Sequence, residues 1–207
     1  MAFNIDEFRA KGLTGGGARP SLFEVELVSP PLQISSTILE KFIFTCSASE
    51  IPAATVGSID VSYFGRQIKL AGDRTFADWT VTIQNDEDFA IRTMFEAWSN
   101  QINQLVANKQ LPSTTGGNNG YKASSAIVRQ FGRSGKSILR GYEFVGIFPT
   151  NVGNMALDWE ATNRIQTFDV TFSYDYWVPA NITGSIADLD TGISGNAKPA
   201  GTQGPNQ

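Results

Sequence analysis

The sequence predicts a mainly β fold: an antiparallel β-sandwich or barrel with one flanking amphipathic α-helix and extended N- and C-terminal arms. Three observations carry this. Short runs in which apolar and polar residues alternate with a period of two recur along most of the chain. One segment, from Ile91 to Leu105, has helical spacing instead. Glycine (20) and phenylalanine (14) are abundant, which suits many turns and aromatic-rich strands. A length of 207 residues fits one domain with tails. The divisions expected are an N-terminal arm over 1–20, a β domain over 21–179 and a flexible C-terminal tail over 180–207.

The elements follow in order. In the arm, Phe3, Ile5 and Phe8 are apolar, and Gly15–Gly17 then interrupts regular structure. From Leu22, Phe23, Val25 and Leu27 alternate with Glu24 and Glu26 as a strand, which Pro30–Pro31 ends. Leu39–Cys46 reads as a second strand with Phe42, Phe44 and Cys46 on one face. Val56–Phe64 and Gln67–Leu70 follow, separated by Gly65–Arg66. Asp78–Gln84 places Trp79, Val81 and Ile83 on one side and Thr80, Thr82 and Gln84 on the other.

Ile91, Phe95, Trp98, Ile102 and Leu105 recur at alternating spacings of four and three, one apolar stripe facing the protein's own core. Asn85 is the expected N-cap, with Asp86, Glu87 and Asp88 in the first turn, where the helix dipole favours anions. Pro112 and the Gly116–Gly120 stretch end the helix. Strands are expected again at Ala126–Phe131, Ser137–Phe148 (with a bend at Gly141 or Gly146), Met155–Trp159 and Thr167–Trp177. In the last, Phe168, Val170, Phe172, Tyr174 and Tyr176 alternate with polar residues, a pattern of core rather than of a base-stacking platform.

Several chemistries are excluded by composition. There is no histidine and one cysteine, Cys46, so a Ser-His-Asp or Cys-His apparatus cannot exist within this chain and a structural zinc site is not expected, which leaves carboxylates and lysine as the catalytic groups available. Gly132–Ser137 resembles the end of a phosphate-binding loop, but Gln130 stands where the motif needs glycine, and a strand follows rather than a helix; it reads as a hairpin turn. Asp158 and Glu160 read as a solvated turn. The net charge of −4 argues against a nucleic-acid binder, which needs a surplus of Lys and Arg. No apolar run approaches a membrane span, so no membrane anchor is expected, and the N-terminus has no signal-peptide core. No enzyme activity, cofactor or metal is expected.

An ordered set of phrases is more specific. Ala18–Phe23, Ala71–Ile83 (Ala-Gly-Asp-Arg-Thr-Phe-Ala-Asp-Trp-Thr-Val-Thr-Ile), Asn85–Glu87, Ser125–Gln130, Phe148–Gly153, Leu157–Trp159, Ile165–Thr171 and Asp175–Trp177 together resemble the tail tube proteins of contractile-tailed, myovirus-type bacteriophages. The resemblance runs from Ala18 to Trp177. It implies a structural subunit of the inner tail tube, forming stacked hexameric rings that make the conduit for genome delivery. It further implies a virion location after assembly in the host cytoplasm. The implied partners are other copies of the chain, the tail sheath, tape measure, baseplate and tail terminator proteins, and phage DNA passing without specific binding. The same architecture serves type VI secretion and contractile bacteriocins, which is the alternative. A carbohydrate-binding sandwich using Trp79, Trp159 and Tyr176 is a further competing reading. Phe3, Ile5 and Phe8 are expected to bury against a neighbouring subunit. The lumen is expected to be polar and acidic, with Glu24, Glu26, Gln67 and Lys69 as its candidate residues.

Overall fold

The computed structural model describes residues 4–13, 16–32, 34–113, 120–135 and 137–180. Among the described residues, ten strands and three helices, with one π-helical turn, are arranged as two four-stranded antiparallel sheets and a separate hairpin. The strands are β1 (Phe23–Val28), β2 (Cys46–Ser49), β3 (Ala54–Tyr63), β4 (Arg66–Phe76), β5 (Trp79–Gln84), β6 (Ser125–Phe131), β7 (Ile138–Val145), β8 (Phe148–Val152), β9 (Thr167–Ser173) and β10 (Tyr176–Ala180). The helices are α1 (Ile5–Glu7), α2 (Ser36–Thr45) and α3 (Ala90–Ile102). Sheet A has the order β1-β6-β7-β10, sheet B the order β2-β5-β9-β8, and β3 pairs with β4 alone.

The core lies between the sheets and is strongly aromatic. Trp79 of sheet B stacks on Phe144 of sheet A with centroids 4.5 Å apart and planes within 7°. The expected alternation is realised in β5, where Trp79, Val81 and Ile83 are buried, and in β9, where Phe168, Val170 and Phe172 are. Helix α3 packs on the same side of sheet B, with Ile91, Met94, Phe95 and Trp98 buried and Phe95 edge-on to Phe172 at 5.7 Å. The Trp98 Nε1 donates to the Tyr121 carbonyl at 2.7 Å.

The structure corrects several expectations. Leu39–Cys46 is not a strand: Ser36–Thr45 is a second packed helix, capped by the Ser35 hydroxyl, which accepts from the Thr37 N–H at 3.3 Å. Its Thr and Ile residues favour strands, but Phe42 fits edge-on against Phe95 at 5.9 Å, while Phe44, two residues on, is 86% exposed. Only a helical period separates those two fates. Asn85 does not cap α3. Its backbone N–H extends the β5–β9 ladder to the Gln166 carbonyl, and Phe89 occupies the cap position in a left-handed conformation. Asp88 accepts from the Ala90 N–H instead. Leu105 lies past the helix end and is exposed. Met155–Trp159 forms no strand.

The two longest predicted strands are each divided between sheets. Ser137–Phe148 becomes β7 in sheet A and β8 in sheet B, and Thr167–Trp177 becomes β9 in sheet B and β10 in sheet A. The crossings touch. The Asp175 N–H donates to the Val145 carbonyl at 2.9 Å, and Lys122 bonds the Asp175 carboxylate at 2.7 Å. Gly146 has a φ of +67°, and a Cβ there would collide with the Asp175 carboxylate. The left-handed backbone is what favours glycine here, whereas the carboxylate is the half-exposed end of a flexible side chain and would turn aside for a Cβ.

Candidate self-assembly surface

Strands β3 and β4 project from the sandwich as a hairpin continuing the β2 and β5 segments. Its turn is Phe64–Gly65, both at positive φ (43° and 81°), the geometry that matches the twist of a tight hairpin; the turn thus falls one residue earlier than Gly65–Arg66. Register pairs Ile59 with Leu70, Val61 with Ile68 and Tyr63 with Arg66, so five apolar side chains share one face. Asp60 opposite Lys69 and Ser62 opposite Gln67 form the other face. Every β3 residue is exposed, as are the apolar β4 residues Ile68 and Leu70. Ile59 is 54% exposed, Leu70 53% and the turn residue Phe64 92%. A two-stranded hairpin is marginal by itself in water, and an apolar face of this extent marks an interaction surface.

Other surfaces share this character. The N-terminal segment is not extended where it is described. Asn4 caps α1, and a π-helical turn, Phe8–Gly12, continues it, with a Lys11–Glu7 ion pair at 2.6 Å. Ile5 and Phe8 are exposed there, whereas Phe3 lies outside the described residues. Between β8 and β9, Leu157, Trp159 and Ile165 are exposed on a long loop, in which Asp158 accepts from the Glu160 N–H as an ordinary turn. The strands β1 and β10 end sheet A, and β2 and β8 end sheet B.

The residues expected at the lumen lie on different elements. Glu24 and Glu26 sit on the outward face of sheet A, both paired with Arg129, at 2.9 and 2.6 Å. Gln67 and Lys69 lie on the polar face of the hairpin. Asp86 and Asp88 are held by Lys41 of α2, each at 2.6 Å, which ties α2 to the segment leading into α3. Lys41 and a neighbouring backbone N–H keep each of these carboxyls below the usual carboxylate range, and the pair in turn raises the Lys41 ammonium.

Gly132 and Ser137 lie between β6 and β7 and are joined by a bond from the Gly132 N–H to the Ser137 carbonyl at 2.7 Å. Among the described residues no His/Cys/Asp/Glu group could hold a metal ion, and no helix is long and apolar enough to cross a membrane. The Cys46 thiol is pushed up to about 12 by burial, a state in which little nucleophilic thiolate forms. Trp79, one arm of the carbohydrate reading, is fully buried and can serve no sugar.

The hairpin and its apolar face were missed as a site by sequence reasoning, although the signal was present. Ile59, Val61 and Tyr63 alternate as a core face would, and only the fold shows that no core reaches them.

Fold and surface together define a class: a structural β-sandwich subunit carrying an unpartnered apolar arm. The chain belongs to the phage tail tube protein family, whose model matches residues 18–180. It is 42% identical over 173 residues to the tail tube protein gp19 of Enterobacteria phage T4, covering 84% of this chain and 98% of that one. It is 22% identical over 171 residues to the tail tube protein of Serratia phage KSP90, covering 82% and 93%. Among solved structures, the fold is similar to a chain of the extracellular contractile injection system PVC sheath-tube complex. There the TM-score is 0.53 at 13% identity, covering 87% of this chain and 100% of that one. It is also similar to a chain of the anti-feeding prophage baseplate, with a TM-score of 0.56 at 9% identity, covering 80% and 97%. The protein is thus a tail tube protein, a structural component of the phage virion.

Proposed function

We propose that this subunit forms hexameric rings that stack in one polarity into the inner tube of a contractile phage tail, the conduit for genome delivery. The observation that carries this is the amphipathic hairpin. A chain of this family with an exposed apolar arm and open sheet edges is built for head-to-tail contact between unlike surfaces, which closes rings or extends filaments. The edge strands would pair within a ring. The hairpin and the N-terminal residues Ile5 and Phe8, with Phe3, would bury against neighbouring copies. Contacts with sheath, tape measure, baseplate and terminator proteins follow from the same reading, as does passage of DNA without specific binding. The 42% identity to a phage protein, against 9–13% for the injection-system chains, favours the phage tail over a secretion or bacteriocin tube.

If each of six copies gives a four-stranded sheet to one barrel, strands ~4.8 Å apart make a circumference of roughly 115 Å, or roughly 150 Å with ~40° tilt. The backbone diameter is then about 37–48 Å, wide enough for a duplex about 20 Å across. Electron microscopy of the purified chain and of virions tests the proposal: six-fold rings and tubes are expected, and a monomer at high concentration with no rings in virions would refute it.

A further inference from the structure

We infer that the chain carries its own strap: the C-terminal segment 181–207 folds back over an apolar groove at one end of sheet A and closes it within the same subunit. The groove is a cavity of about 170 Å³ lined by Pro20, Phe23, Ile51, Val128, Gln130 and Tyr142. It opens where Phe23 pairs with Gln130 and Gln130 with Arg140, the end of sheet A away from the crossing at Val145. Phe23 and Tyr142 are half-buried there, and Ile51 is 38% exposed. A dry apolar cavity of ~150 Å³ takes a benzene-sized group, so this one has room for an aliphatic side chain.

Position, pattern and charge name the occupant. β10 runs towards this end of the sheet. Its Pro179 pairs with Tyr142 and its Ala180 with Gly141, where a Cβ would sit 3.2 Å from the Ala180 Cβ. The chain therefore leaves β10 beside the wall of the groove, and the nine residues from there to Leu189 reach up to about 30 Å when extended. Within the segment, Ile182, Ile186, Leu189 and Ile193 recur at spacings of four, three and four, the repeat of one helical face, among small and polar residues. Asp188 and Asp190 flank Leu189.

The rim of the groove carries the opposite sign. The Arg140 guanidinium lies over the Tyr142 ring at 5.4 Å. Arg19 precedes Pro20, and its carbonyl accepts from the Gln130 amide at 3.1 Å. With Glu50 beside Ile51, the rim still has a net positive charge. Leu189 seated in the cavity brings both flanking carboxylates to these guanidiniums, and such charge-assisted pairs select which apolar residue enters. Ile51 leads into β3 at Ala54, so the strap also covers apolar surface at the base of the hairpin. The family model's match stops at residue 180, which makes the strap an addition to the shared fold.

Thiol labelling of the full chain tests this. Ile51→Cys and Pro20→Cys are made separately in a Cys46→Ala background and treated with N-ethylmaleimide below the concentration at which tubes form. Two sites guard against one variant failing to fold, and circular dichroism confirms the fold of each. Adding Ile186→Asp and Leu189→Asp should speed labelling at both sites by at least about tenfold, since access limits thiol reactivity. Arg19→Glu with Arg140→Glu should speed it as well, and Asp188→Arg with Asp190→Arg, added to that pair, should restore protection. Equal rates with and without the Asp substitutions, or no recovery in the charge-swapped chain, would overturn the strap. Protection that grows with protein concentration would place another copy in the groove and overturn it too. None of these outcomes bears on the tube reading, because no tubes are present in the assay.

Discussion

The hairpin face allows a worked prediction. Ile59 and Leu70 pair across β3 and β4 and are 54% and 53% exposed. Full burial of such a side chain is worth about 1.5–3 kcal/mol, and half remains to be gained on assembly, about 0.75–1.5 kcal/mol each. The double variant Ile59→Ser, Leu70→Ser therefore forfeits about 1.5–3 kcal/mol of association per subunit. At about 1.4 kcal/mol per tenfold, the concentration needed for tubes should rise on the order of 10- to 150-fold. The fold should be spared, because neither side chain contributes to the core cluster. Sedimentation of tubes across a concentration series measures the shift, with circular dichroism and urea unfolding as the control. An unchanged assembly concentration with an intact fold would show that this face is not buried between subunits.

Four further outcomes are expected. Trp98→Ala removes a fully buried ring and should cost about 3–5 kcal/mol in urea unfolding; Trp98→Phe, which leaves the Tyr121 carbonyl without its donor, should cost about 1–3 kcal/mol, and a loss below ~1 kcal/mol for Trp98→Ala would make the residue peripheral. Gly146→Ala should cost about 1–3 kcal/mol through its left-handed backbone, and unchanged stability would show that the backbone does not favour glycine there. Because Asp86 and Asp88 are held below the usual carboxylate range by Lys41, their contribution is present above pH ~4 and lost as the pH falls through the lowered values; Lys41→Met should flatten this acid sensitivity, and parallel pH–stability curves would contradict the sign. Deleting residues 1–12 should weaken tubes while leaving subunit unfolding unchanged, since Ile5 and Phe8 touch no core, and unchanged tube stability would end the proposed role of the arm.

What the sequence determined by itself was whatever depends on local periodicity. The alternation in Trp79–Gln84 and Phe23–Val28, the stripe Ile91–Phe95–Trp98 and the Gly132–Ser137 turn all came through, because burial on one face imposes a period that neighbouring residues must obey. The ordered phrases placed the family as well. Tertiary structure decided the rest. Whether Ser36–Thr45 is strand or helix depended on the pocket beside Phe95, which lies more than fifty residues away in sequence. Where two long β runs change sheets is seen only in the fold, where the crossings meet through the Asp175 N–H and the Val145 carbonyl, a contact no window of sequence contains. Alternation reports only that one face is apolar. Phe172 and Ile59 obey the same rule, yet one lies in the core and the other is left for a neighbouring molecule, because what covers a face is set by the chain elsewhere or by another copy of it.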